Sequence, residues 1–190
     1  MKHLKIFENF NSDEKIHEIC KKHNIKNYTI NKDHSIDVDG DVYLYRKGLT
    51  KIPLKFRKVS GYFDCDDNSL TSLEGSPTSV GGDFYCDNNK LTSLEDSPTS
   101  VGGHFYCDNN KLTSLEGSPT SVGGYFYCND NPVNEVYNLF NDKDKIELLN
   151  DYDIFRKVDG KPGIILDRLN SFLEDIGKES VTKVEGYINI

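Results

Sequence analysis

The sequence predicts an α/β repeat solenoid: short coils stacked through a parallel β-sheet, an N-terminal helical cap and a C-terminal mixed α/β cap. Three observations carry this. Residues 59–132 repeat a 21-residue unit, read from Val80 to Ser100 as VGGDFYCDNNKLTSLEDSPTS. Apolar residues keep fixed columns in that unit: Val59, Val80, Val101 and Val122; Phe63, Phe84, Phe105 and Phe126; Cys65, Cys86, Cys107 and Cys128. Two Leu columns follow, Leu70, Leu91 and Leu112, then Leu73, Leu94 and Leu115. The flanks abandon this period for helical spacing. A fixed period of this size marks coils that bury their apolar faces only against their neighbours.

The N-terminal cap is expected over residues 1–37. Ser12 is positioned to N-cap a helix over 12–24, with Ile16, Ile19, Cys20 and His23 on one face. NYTI (27–30) and SIDV (35–38) read as a capping hairpin or edge strand. The repeat region is expected over 38–132, starting with a diverged coil. Counting back 21 residues from Val59, Phe63, Cys65, Leu70 and Leu73 gives Val38, Val42, Leu44, Leu49 and Ile52, all apolar.

Within a coil, Phe84-Tyr85-Cys86 alternates with period 2 and predicts a short strand with Phe and Cys inward. Gly81-Gly82 predicts a tight corner before it. Ser97-Pro98 predicts an extended corner on the far side. So short a coil leaves a convex side that is mostly extended or 3₁₀. In the C-terminal cap, 133–190, VNEVYNLF, KDKIELLND and GIILDRLNSFLEDIG (163–177) predict three helices, and KVEGYINI a terminal strand.

Charge is unevenly placed. Residues 1–58 carry 13 Lys/Arg against 8 Asp/Glu, net +5; residues 59–132 carry 2 against 11, net −9; residues 133–190 carry 8 against 12, net −4. An acidic array repels a phosphate backbone, so nucleic acid is not its expected partner. No apolar run approaches the roughly 20 residues of a membrane helix, and MKHLKIFENF does not read as a secretory signal. Four of the five cysteines follow the repeat and Cys20 stands alone, which is not a disulfide framework and fits a cytoplasmic, reducing compartment.

The segment Phe84-Tyr-Cys-Asp-Asn-Asn89-Lys-Leu91-Thr-Ser-Leu94 resembles the leucine-rich-repeat core LxLxxNxLxxL, as do Phe105–Leu115 and Phe63–Leu73. The column Asn68, Asn89, Asn110 and Asn131 would bond backbone groups of neighbouring coils. The first coil has Lys47 there, so the ladder is expected to start at Asn68. With S-P-x-x-V before the strand, the unit is similar to short bacterial leucine-rich repeats. DVDGDV, GLTKIP, CDNNKLTSLEGSP and NDYDIFR together resemble small leucine-rich-repeat proteins of bacteriophages. The resemblance implies a short leucine-rich-repeat array and no particular activity. Secreted effectors with such repeats carry a catalytic Cys in a ubiquitin-ligase domain, but residues 133–190 contain no Cys.

Each candidate for chemistry has a plainer alternative. The cysteine column could offer stacked thiolates to a soft metal, but lacks short C-x₂₋₄-C spacing and reads as core. DVDGD (37–41) imitates a calcium loop, but places Gly40 at position 4 and Gly48 at position 12, and reads as a turn. The five His share no ligand spacing and have no evident Cys or carboxylate partner, and no nucleophile elbow, P-loop or zinc-protease motif occurs. No catalytic residue, metal or cofactor is implied.

What remains is the outward face of the strands. The column between Phe and Cys reads Tyr43, Asp64, Tyr85, Tyr106, Tyr127. The column after Cys reads Tyr45, Asp66, Asp87, Asp108, Asn129. The column before Phe reads Asp41, Tyr62, Asp83, His104, Tyr125. This predicts a concave surface with a tyrosine stripe beside an exposed carboxylate stripe. The expected function is a non-enzymatic protein–protein interaction module. Its partner, a host or viral protein, would be bound through Tyr43, Tyr62, Tyr85, Tyr106, Tyr127, Asp66, Asp87, Asp108, His104 and Tyr125. Two alternatives stand: a virion or assembly component, and an acidic decoy for a nucleic-acid-binding protein.

Overall fold

The computed structural model describes the backbone of residues 2–190 and the side chains from Ser12 onward. Helix α1 (Lys2–Lys22) leads into an antiparallel hairpin of β1 (Tyr28–Ile30) and β2 (Ile36–Val38). The expected stripe is present, with Ile16, Cys20 and His23 buried and Ile19 packed against the core. Ser12 does not cap the helix, because α1 runs through it; its hydroxyl lies 3.2 Å from His34 Nδ1. That imidazole is also 3.1 Å from Asp13 Oδ1, so one His does have a carboxylate partner, supplied by the fold across 21 residues.

Each 21-residue unit then contributes a strand to each of two parallel sheets. One sheet continues from the hairpin through β4 (Phe56–Val59), β6 (Ser79–Val80), β8 (Ser100–Val101) and β10 (Ser121–Val122). The other is built from β3 (Val42–Tyr43), β5 (Phe63–Asp64), β7 (Phe84–Tyr85), β9 (Phe105–Tyr106) and β11 (Phe126–Tyr127). Its register pairs Val42 with Phe63, Phe63 with Phe84, Phe84 with Phe105 and Phe105 with Phe126. Val38 pairs with Val59 in the first sheet, so the diverged first unit keeps the register. The sheet that continues the hairpin, a second one with strands of two to four residues, was not expected, and the stretch between each Cys and the next such strand is bends and turns.

The columns form the core. The Phe, Cys and Leu columns from Phe63 to Leu115 are fully buried, and their counterparts Val42, Leu44 and Ile52 are buried with them. Phe63, Phe84, Phe105 and Phe126 stack with ring centroids 5.5, 5.3 and 5.2 Å apart. Burying a side chain of this size contributes about 1.5–3 kcal/mol, so each unit adds several such increments against its neighbours.

The asparagine ladder starts at Asn68, as expected. Asn110 shows its geometry: Oδ1 accepts Leu91 N–H at 3.0 Å, while Nδ2 faces Cys86 O, Cys107 O and Asp108 O at 3.0, 3.2 and 3.2 Å. Asn68, Asn89 and Asn131 repeat it. The Gly-Gly pair is required by close approach between units. A β-carbon at Gly102 would meet Gly81 O at 2.2 Å, and one at Gly124 would meet the His104 ring at 2.5 Å.

Past Pro132 the chain forms α2 (Asn134–Phe140), a 3₁₀ turn (Lys143–Lys145) and α3 (Ile146–Asp151). A three-stranded sheet of β12 (Phe155–Val158), β13 (Lys161–Ile164) and β14 (Ile188–Asn189) follows, with α4 (Leu166–Asp175) between its last two strands. The helix expected over 163–177 is shorter because Gly163 and Ile164 pair with Arg156 and Phe155 in the β12–β13 hairpin. The cap is tied to the repeats by Val133 N–H to Leu112 O, Asn150 to Leu115 O and Tyr187 OH to Thr113 O. Among the described residues no helix is long and apolar enough to cross a membrane.

Candidate functional site

The outward face of the β3–β11 sheet holds the three columns singled out from the sequence. Strand alternation sends Phe inward and the next residue outward. Tyr85, Tyr106 and Tyr127 therefore lie in register and stack, with centroids 4.7 and 4.9 Å apart and ring planes within 5° and 11°. Beside them His104 stacks on Tyr125 at 5.3 Å, and Tyr125 tilts against Tyr127 at 5.8 Å. These five rings make one continuous aromatic patch. Tyr125 is its most exposed member, at 66%.

Tyr43 and Tyr62 stand outside this patch. Asp64 occupies the ladder position between Tyr43 and Tyr85 and interrupts the stack. Tyr43 and Tyr62 are exposed, and the Tyr43 hydroxyl donates to Asp41 Oδ2 at 3.0 Å. The Tyr85 hydroxyl makes the equivalent bond to Asp83 Oδ2 at 2.8 Å. Burial first, then that carboxylate, raises the Tyr85 phenol pKa, so it is protonated at neutral pH.

The carboxylate column departs from expectation. Asp66, Asp87 and Asp108 are half-buried, and each reaches to the next unit. Asp66 Oδ1 accepts Asp87 N–H, Asp87 Oδ1 accepts Asp108 N–H, and Asp108 Oδ1 accepts Asn129 N–H, each at 2.6 Å. The column before Phe behaves likewise: Asp41 Oδ1 accepts Tyr62 N–H at 2.8 Å and Asp83 Oδ1 accepts His104 N–H at 2.7 Å. His104 fills the same role with its ring, Nδ1 accepting Tyr125 N–H at 2.9 Å. An accepting Nδ1 assigns the neutral tautomer with its proton on Nε2. These groups are joints between units, not a free acidic stripe. Partial burial and mutual repulsion push the Asp66 carboxyl up to about 8 and Asp87 up to about 7.

The cysteine column is inside. The thiols of Cys65, Cys86 and Cys107 donate to the carbonyl oxygens of Tyr85, Tyr106 and Tyr127 at 3.1, 3.2 and 3.1 Å. Burial raises their pKa well above the usual thiol range and pushes Cys128 up to about 12. A thiol held protonated is a poor ligand and a poor nucleophile. No group of three or more His, Cys, Asp or Glu able to hold a metal occurs among the described residues. The aspartates of the DVDGD segment are also engaged. Asp37 pairs with Arg57, Asp39 accepts from Ser60 and Asp41 from Tyr62, while Gly40 takes a φ of 127°. In the cap, Asp153 is held by Arg156 and Arg168.

No protein-family model, no curated protein and no solved structure matches the chain.

Proposed function

We propose that the chain is a short leucine-rich-repeat solenoid acting as a non-enzymatic protein–protein interaction module, its partner docking on the Tyr85–Tyr106–Tyr127 ladder with His104 and Tyr125. The observation that carries this is the pre-stacked ring patch on a rigid sheet. Tyrosine contributes large contact area with little entropy to lose, and rings already held in register have less still to lose. Five strands at about 4.8 Å spacing give a face of roughly 20–25 Å, compatible with a standard interface of about 800 Å² per partner.

This reading narrows the residues expected to bind. Asp66, Asp87 and Asp108 act through the shape of the face, and Tyr43 and Tyr62 lie outside the ring stack. A partner from host or virus in a reducing cytoplasm fits the buried free thiols. The test is capture of partners from expressing cells by the native chain and by Y85A/Y106A/Y127A, with folding checked by circular dichroism. Loss of a specific partner is expected of the variant; full retention by a folded variant overturns the reading.

A further inference from the structure

The tyrosine ladder ends in a cavity. Tyr106 covers one face of the Tyr127 ring, and among the described residues no ring stacks on the other. Past Tyr127 lies a cavity of about 580 Å³ between the last strand and the turn after α2. Tyr125, Tyr127, Asn129, Asn138, Asp142 and Asp144 line it. A volume in this range suits a side chain or small ligand.

Its chemistry is rich in acceptors and poor in free cations. Among the described residues the Asn138 side chain makes no hydrogen bond, and the Asn129 amide nitrogen donates to Asp108 while its oxygen accepts from no donor. Lys143, the one cation on the wall among the described residues, is held by Asp144 at 2.9 Å. The ring face itself lies in the field of an array with a net charge of −9 over residues 59–132. A planar cation that brings only donors fits these features together. Ammonium has no plane to continue the stack, whereas guanidinium has both the plane and the fork of N–H groups.

We propose that this cavity receives an arginine side chain of the partner, its guanidinium stacking on Tyr127 as the next layer of the ladder and donating to the Asn and Asp oxygens around it. The inference rests on the tyrosine face being the docking surface, and it makes the partner one that presents an exposed arginine. Such an anchor at one end of the ladder fixes the register in which the rest of the partner lies along it.

The test titrates the full chain with three blocked tripeptides, Gly-Arg-Gly, Gly-Lys-Gly and Gly-citrulline-Gly, and follows backbone amide shifts by NMR. The arginine peptide is expected to give saturable shifts at residues 125–129 and 138–144. The lysine and citrulline peptides should bind roughly tenfold more weakly, since each lacks the plane or the charge. Y127A should abolish the response and Y127F keep it. D142N/D144N, which retains the oxygen acceptors, should weaken it without removing the ring. Equal binding of the three peptides, shifts centred elsewhere, or no saturable response to the arginine peptide overturns the proposal. The two readings fail separately. Absent peptide binding with partner capture still lost in Y85A/Y106A/Y127A overturns the arginine cavity alone. Capture unaffected by that variant overturns the docking face, whatever the peptides do.

Discussion

Asp66 and Asp87 show how one residue can serve the fold and tax it. Each accepts a backbone N–H from the next unit, yet each crowds another carboxylate in a half-buried row. Their folded pKa values, about 8 and about 7, lie above the roughly 4 of an unfolded aspartate. The folded chain therefore binds more protons than the unfolded chain between these limits. The stabilisation is full at the acidic end and lost as pH rises through 7 and 8. The melting temperature should fall from about pH 4.5 to about pH 8 and level off above that, and D66N/D87N should flatten that fall in a thermal melt series. The amide oxygen of Asn keeps an acceptor for the next unit's N–H without the charge. A second residue is strained for local reasons. Asp96 has φ 63° where the neighbouring units place Gly75 and Gly117, also at positive φ. D96G should stabilise the chain by about 1 kcal/mol in urea denaturation, the order of the left-handed penalty it relieves.

At the scale of the element, the asparagine ladder holds one unit to the next. N110A would leave Leu91 N–H and the carbonyls of Cys86 and Cys107 buried without their partner. A loss of about 2–4 kcal/mol is expected in urea denaturation, since each unsatisfied buried group costs about 1–3 kcal/mol. This ladder was legible in the sequence, as were the inward Phe and Cys columns and the hairpin at 27–38, because apolar identity at a fixed period dictates what stacks. The second sheet was not. Each of its repeated strands offers one apolar column, Val59, Val80, Val101 and Val122, where Phe-x-Cys offers two, so no alternation registers. The start of α4 was obscured because Ile164 and Ile165 continue its apolar pattern while hydrogen bonding places Ile164 in a strand. The work of the aspartates was hidden for another reason. A carboxylate column reads as solvent-facing until the backbone N–H one unit away is located, and His104 in the same role gives no compositional cue.

Across the whole molecule, the consequence of repetition is that one rule of alternation decides both the interior and the face. The same strands that hide four thiols present the phenol rings. The account can therefore be tested from the inside. Native protein is treated with an excess of a thiol-reactive alkylating reagent, and modification at Cys65, Cys86, Cys107 and Cys128 is read by peptide mass spectrometry against a urea-unfolded control. All four should stay unmodified over a period in which the unfolded chain reacts completely. Rapid reaction of the native chain at any of the three inner positions, Cys65, Cys86 or Cys107, would mean that the columns face the other way, with the rings buried and the proposed docking face absent.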